Sequence, residues 1–92
     1  MSEMLSDEEL KSIAARVAAA TPGPWRSIIE GRDHKSGSNF IMTGEVGSRS
    51  EDIEVTGATE ADQDFIAAAR EDIPRLLEAV RVLQSLLKPQ HD

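Results

Sequence analysis

GATEADQDFIAAAREDIPRLLEAVRVLQSLL, residues Gly57 to Leu87, is the stretch that decides what this chain folds into. Within it Phe65, Ile66, Ala69, Ile73, Leu76, Leu77, Val80, Leu83 and Leu87 recur at steps of three and four. That spacing places them along one side of a helix, and such a side has to be buried against something. Thr59 is placed to cap the start, with Asp62 three residues on in the reciprocal position, and acids crowd the first turn where the helix dipole favours them. Pro74 lacks an amide hydrogen and is tolerated only in a first turn or at a kink. The spacing therefore predicts one helix over residues 60–70 and a break near 71–73. A second helix then runs from Pro74 to Leu87, capped by Asp72 and stopped by Pro89.

Upstream, Ser6 to Glu9 has capping-box spacing, and Leu10, Ile13, Ala14, Val17 and Ala18 mark one face of a helix over residues 7–20. Its facing residues are mostly small, so a partner element can approach closely. Thr21-Pro22-Gly23-Pro24 ends it. Trp25 follows, the sole Trp in a chain whose other aromatics are Phe40 and Phe65. It reads as a packing residue where helix meets sheet, its indole N–H on a backbone acceptor, or else as a stacking surface for a ligand.

The period then changes. Residues 26–30, 39–43 and 52–56 are short and rich in β-branched side chains, with Gly- and Ser-containing loops between them. The last alternates, Ile53 and Val55 to one face and Asp52, Glu54 and Thr56 to the other. Three such strands with short connections read as an antiparallel meander covered on one face by the helices. The expected fold class is α+β in the order α-β-β-β-α-α, one small domain over residues 1–92. A core of that size is thin, which makes a homo-oligomer a natural supplement.

The chain has no cysteine, hence no disulfide framework or thiolate metal site. It has no apolar run of about 18 residues and no basic–apolar leader, so the expectation is a soluble cytoplasmic protein without membrane contact. Net charge is −7, yet Arg26 to Arg49 holds four bases against three acids. The acidic flanks argue against general nucleic-acid binding, which needs a basic stripe. The middle segment still suits a small anion.

Arg32-Asp33-His34-Lys35-Ser36-Gly37-Ser38-Asn39 is the densest polar stretch. Its groups are those that hold phosphates or carboxylates, but GRDHKSGS lacks phosphate-loop order, and the plainer reading is a solvated hairpin loop, with a protein-binding edge as a third. The two histidines, His34 and His91, offer no metal spacing, so no metal and no cofactor is expected. No nucleophile elbow accompanies Ser36 or Ser38 beside His34, and the expectation is a protein without catalysis. Arg70 follows the stripe of Phe65, Ile66 and Ala69 and either pairs with an acid or lines a pocket at the sheet. Arg26, Arg32, His34, Lys35, Asn39 and Arg70 are thus the candidate ligand contacts.

Two blocks carry a resemblance: Ala20-Thr21-Pro22-Gly23-Pro24-Trp25, and Ala61-Asp62-Gln63-Asp64-Phe65-Ile66-Ala67-Ala68-Ala69-Arg70 running on to Ile73-Pro74-Arg75-Leu76-Leu77. The arrangement resembles small phage and prophage accessory proteins of the lambdoid early-region type. In build, the chain also looks like the Thoeris anti-defence sponge proteins, oligomers that sequester nucleotide immune signals. The resemblance implies a phage accessory protein working in the host cell cytoplasm by binding a nucleotide-type ligand. The alternative is an acidic inhibitor, using Asp62, Asp64, Glu71, Asp72 and Glu78 to occupy a basic groove on a host or defence protein.

Overall fold

The computed structural model describes residues 5–35 and 37–87. Five elements follow one another: α1 (Asp7–Ala19), β1 (Trp25–Ile28), β2 (Phe40–Thr43), β3 (Ile53–Glu54) and α2 (Glu60–Leu87). The class is α+β, as the residue pattern implies, but with two helices rather than three. The expected stop at Pro89 and the second histidine, His91, lie outside the described residues.

α1 begins where a hydroxyl and a carboxylate serve each other. Glu9 N donates to Ser6 Oγ at 3.0 Å and Ser6 N donates to Glu9 Oε1 at 2.8 Å, satisfying two amides that the first turn leaves without helical partners. Leu10 is the buried residue of this helix. The same device opens α2: Asp62 N donates to Thr59 Oγ1 at 3.0 Å and Thr59 N to Asp62 Oδ2 at 3.1 Å.

The expected break at residues 71–73 is absent. Glu60–Leu87 is one helix of 28 residues, about 42 Å long, with Pro74 in its interior. Asp72 caps nothing; it stands inside the helix, 3.9 Å from Arg75 Nη1. The proline deprives the Arg70 carbonyl of its usual donor, a cost of about 3 kcal/mol. Packing offsets it, because buried Gln63, Ala67 and Leu77 and half-buried Arg70 and Pro74 share one face. That face is held by the sheet at one end and by α1 further along, so both halves stay on one axis.

The sheet has the order β1-β2-β3, antiparallel throughout. Trp25 pairs with Thr43 and Ser27 with Ile41; Ile41 in turn pairs with Ile53. Ile41 and Thr43 are buried and alternate with half-buried Phe40 and Met42, so one face of β2 belongs to the core. β3 departs from the expected residues 52–56: two residues pair, and Ile53 and Glu54 are both exposed. Ile53 therefore sits at an open edge rather than on a covered face. α2 lies across β1, and Gln63 joins the layers, its Nε2 donating to Ile28 O at 3.2 Å and Phe40 O at 2.9 Å. The buried apolar side chains are Leu10, Ile29, Ile41, Ala67 and Leu77, a core as thin as the chain length implies.

Candidate functional site

The polar loop after β1 folds back on itself. Asp33 N donates to Ile29 O at 2.7 Å, and Ile29 N donates to Asp33 Oδ2 at 2.8 Å. That backbone donor, with Arg32 beside it, holds the Asp33 carboxyl below its usual range. Arg32 reaches across to α2, gripping Asp64 through Nη1 at 3.0 Å and Nη2 at 3.1 Å while Nε meets Asp33 Oδ2 at 2.9 Å. This fork geometry lowers the Asp64 carboxyl and raises the Arg32 guanidinium. Arg32 is thus a clasp between loop and helix, its charge already met by two carboxylates.

The other candidates disperse. His34 Nε2 donates to Ser38 O at 2.5 Å, and its ring stands edge-on to Phe40, centroids 5.2 Å apart. Lys35 is exposed on the loop, and Arg26 is exposed on β1. Asn39 Oδ1 accepts from Glu30 N at 2.8 Å. Asn39 borders a polar cleft of about 400 Å³ together with Glu30, Ser38, Glu54 and Thr56. Two carboxylates in that lining repel an anion rather than draw one in. Arg26, Arg32, His34, Lys35 and Asn39 therefore do not converge on a shared anion-compatible cavity among the described residues.

Arg70 is different. Its Nη1 donates to Val17 O at 3.1 Å, so the guanidinium bridges the two helices instead of pairing with an acid. It lines a second cleft of about 400 Å³. α1 supplies Ile13, Arg16, Val17 and, just past its end, Ala20; α2 supplies Ile66, Ala69, Arg70 and Ile73; Trp25 closes the end. The indole Nε1 donates to Thr21 O at 3.1 Å, which fixes the ring at the helix–sheet junction and leaves it facing the cleft. Both readings of Trp25 thus have a footing.

The Pro-Gly-Pro turn lies close against α2 at Gly23. A Cβ there would stand 2.6 Å from Glu71 Oε2 and 3.3 Å from Arg70 Cγ. The two quoted sequence blocks, distant along the chain, meet at this cleft. Arg16 was missed from sequence: in α1 it reads as one more exposed base, and only the crossing of α1 over α2 sets it beside Arg70.

α2 carries one further feature. Phe65 is 75% exposed, Leu76 60% and Leu83 57%, and Ile66, Ile73 and Leu87 are exposed as well. These lie beside the face that packs on α1 and the sheet. Among the described residues, no group of three or more His, Asp or Glu is placed to hold a metal ion, and no helix is long and apolar enough to cross a membrane. Comparison with protein-family models, curated proteins and solved structures finds no match.

Proposed function

We propose that this chain is a non-enzymatic binding protein, of the phage accessory type its sequence resembles, and that it takes up a small anionic ligand in the cleft between α1 and α2. The observation that supports this is the meeting of apolar walls, an indole and two arginines, Arg16 and Arg70, in one cleft of ligand size. A planar or aliphatic group would lie against Trp25, Ile66 and Ile73. A phosphate or carboxylate would be held at the Arg edge, where charge-assisted hydrogen bonds are strongest. A nucleotide has both parts, a base to stack and a phosphate to clasp, so a nucleotide immune signal is the ligand class favoured. Of the six contacts expected from sequence, Arg70 carries the role and Arg16 joins it.

Trp25 is the chain's sole tryptophan and so reports on the cleft directly. Its fluorescence and the heat of binding are to be followed while nucleoside monophosphates, cyclic dinucleotides and ADP-ribose cyclisation products are titrated in. A ligand should shift the emission, and Arg16→Glu should weaken it by roughly tenfold to a hundredfold, the worth of one hydrogen bond to a charged group. Silence in both signals across the whole panel defeats the proposal.

The second reading is an acidic inhibitor of a host or defence protein. What favours it is the run of exposed acids on α2, with Glu60, Glu71, Asp72 and Glu78 in water. Capture of one defined host protein at low salt and its release at high salt would mark this reading, since exposed charge pairs are screened.

A further inference from the structure

A second apolar period runs along α2 beside the buried one, most of it exposed, with Ala69 and Val80 half-buried. Ile66, Ile73, Val80 and Leu87 are seven apart, and Ala69, Leu76 and Leu83 stand three residues after each of the first three. This is the a/d seam of a coiled coil sustained over three heptads, with β-branched residues at the first three a positions and Leu at two of the d positions. Burial shows which seam the protein has already used. At the e positions Leu77 is buried and Arg70 is bonded to α1, whereas Leu76, Leu83 and Leu87 face water. At the g positions, Phe65 and Leu86 are each 75% exposed and widen the apolar strip on its open side.

We propose that a second copy of this chain covers the strip, the two α2 helices pairing in parallel and in register to form a dimer with α1 of each copy on the outer flank. Three observations single out a second copy. The strip repeats itself every seven residues, so it is complementary to its own image across a two-fold axis, the commonest symmetry of small oligomers. β-branched a positions with Leu at d is the combination that favours two parallel strands. Phe65, Leu76, Leu83, Leu86 and Leu87 are each more than half exposed along one strip, the kind of surface from which each partner of a stable dimer gives roughly 800 Å².

The shape agrees. The radius of gyration is 17.2 Å and the long dimension 61 Å, against about 12 Å for the radius of a compact domain of this length. A long helix standing clear of a thin core is half of a packed layer. Parallel pairing also sets the g position of one heptad against the next e position of the other helix, so Phe65 of each copy comes over Arg70 of the other, at the rim of the α1–α2 cleft. Ile66, Ala69 and Ile73 also line the α1–α2 cleft, so the partner helix would border that cleft, but the pairing itself is apolar and needs no occupant there.

The absence of cysteine makes the test clean. The chain should sediment at twice its 10.0 kDa mass. Under mild oxidation Leu83→Cys should form a disulfide-linked dimer nearly completely, and Glu78→Cys, on the far side of α2, should not. Leu76→Glu and Leu83→Glu replace residues more than half exposed in the single chain, so the monomer fold survives, as circular dichroism would verify. Each should weaken dimerisation roughly a hundredfold or more, as loss of a central anchor does. A monomer at tens of micromolar overturns the proposal, and so does a dimer indifferent to both Glu variants. A dimer in which Leu83→Cys fails to cross-link overturns the parallel register. Because none of these readouts involves ligand, they stand or fall separately from the fluorescence titration.

Discussion

At the scale of single residues, the clasp of Arg32 on Asp33 and Asp64 has a definite pH signature. Both carboxylates titrate below their ordinary value when folded, so they stabilise the fold at neutral pH. That contribution begins to fade as the pH falls below about 4 and is gone once both are protonated. Urea unfolding of the wild type and of Asp64→Asn should therefore differ at pH 7 and converge at low pH; curves that stay parallel would show that the clasp does not hold the loop. At Gly44 the backbone itself dictates the residue. Its φ is 86°, and a Cβ would meet Arg49 Cα and Ser48 O, both at 2.9 Å. Gly44→Ala should cost roughly 1–3 kcal/mol, read as a lowered melting temperature.

At the scale of elements, both helix starts were legible in the residues. A hydroxyl with a carboxylate three residues later is a local device, needing no distant contact to act. Ser6→Ala should destabilise the chain by about 1 kcal/mol through loss of that cap. The middle of α2 was not legible. Pro74 reads as a boundary by every local criterion, and it is overruled by the face running through Gln63, Ala67, Arg70 and Leu77, which packs on either side of it. Pro74→Ala should return a donor to the Arg70 carbonyl and raise stability by about 1–3 kcal/mol in chemical denaturation. A loss of stability instead would mean that the ring's own packing outweighs the missing hydrogen bond. β3 was overread for the opposite reason: alternation describes which side chains share a face, but whether a third strand's face is covered depends on how far α2 extends over the sheet.

At the scale of the whole molecule, the thin core and the uncovered strip on α2 belong together. Dimerisation should make the melting temperature rise with protein concentration over a hundredfold dilution series, since association stabilises by mass action. Leu76→Glu should flatten that dependence. For the candidate site, Arg70 and Trp25 were legible because one follows an apolar helical stripe and the other a helix-ending Pro-Gly-Pro turn. Arg16 was not, and the loop bases Arg32, His34 and Lys35 drew notice through density of polar residues alone. Density along the chain says nothing about where Asp64 lies in space, and it is Asp64 that takes up Arg32.

What the sequence by itself determined is a set of devices that act over four residues or fewer: the two capping boxes, the helical period of α1 and α2, the strand positions of β1 and β2, and the turn after α1. Those are settled by backbone hydrogen bonding and side-chain direction within a turn or a strand. What only the tertiary structure decided is which apolar residues found a neighbour. The same α2 carries a covered face and an uncovered one, both periodic. The difference comes from where α1 and β1 lie against it, because burial is a relation between surfaces rather than a property of either one.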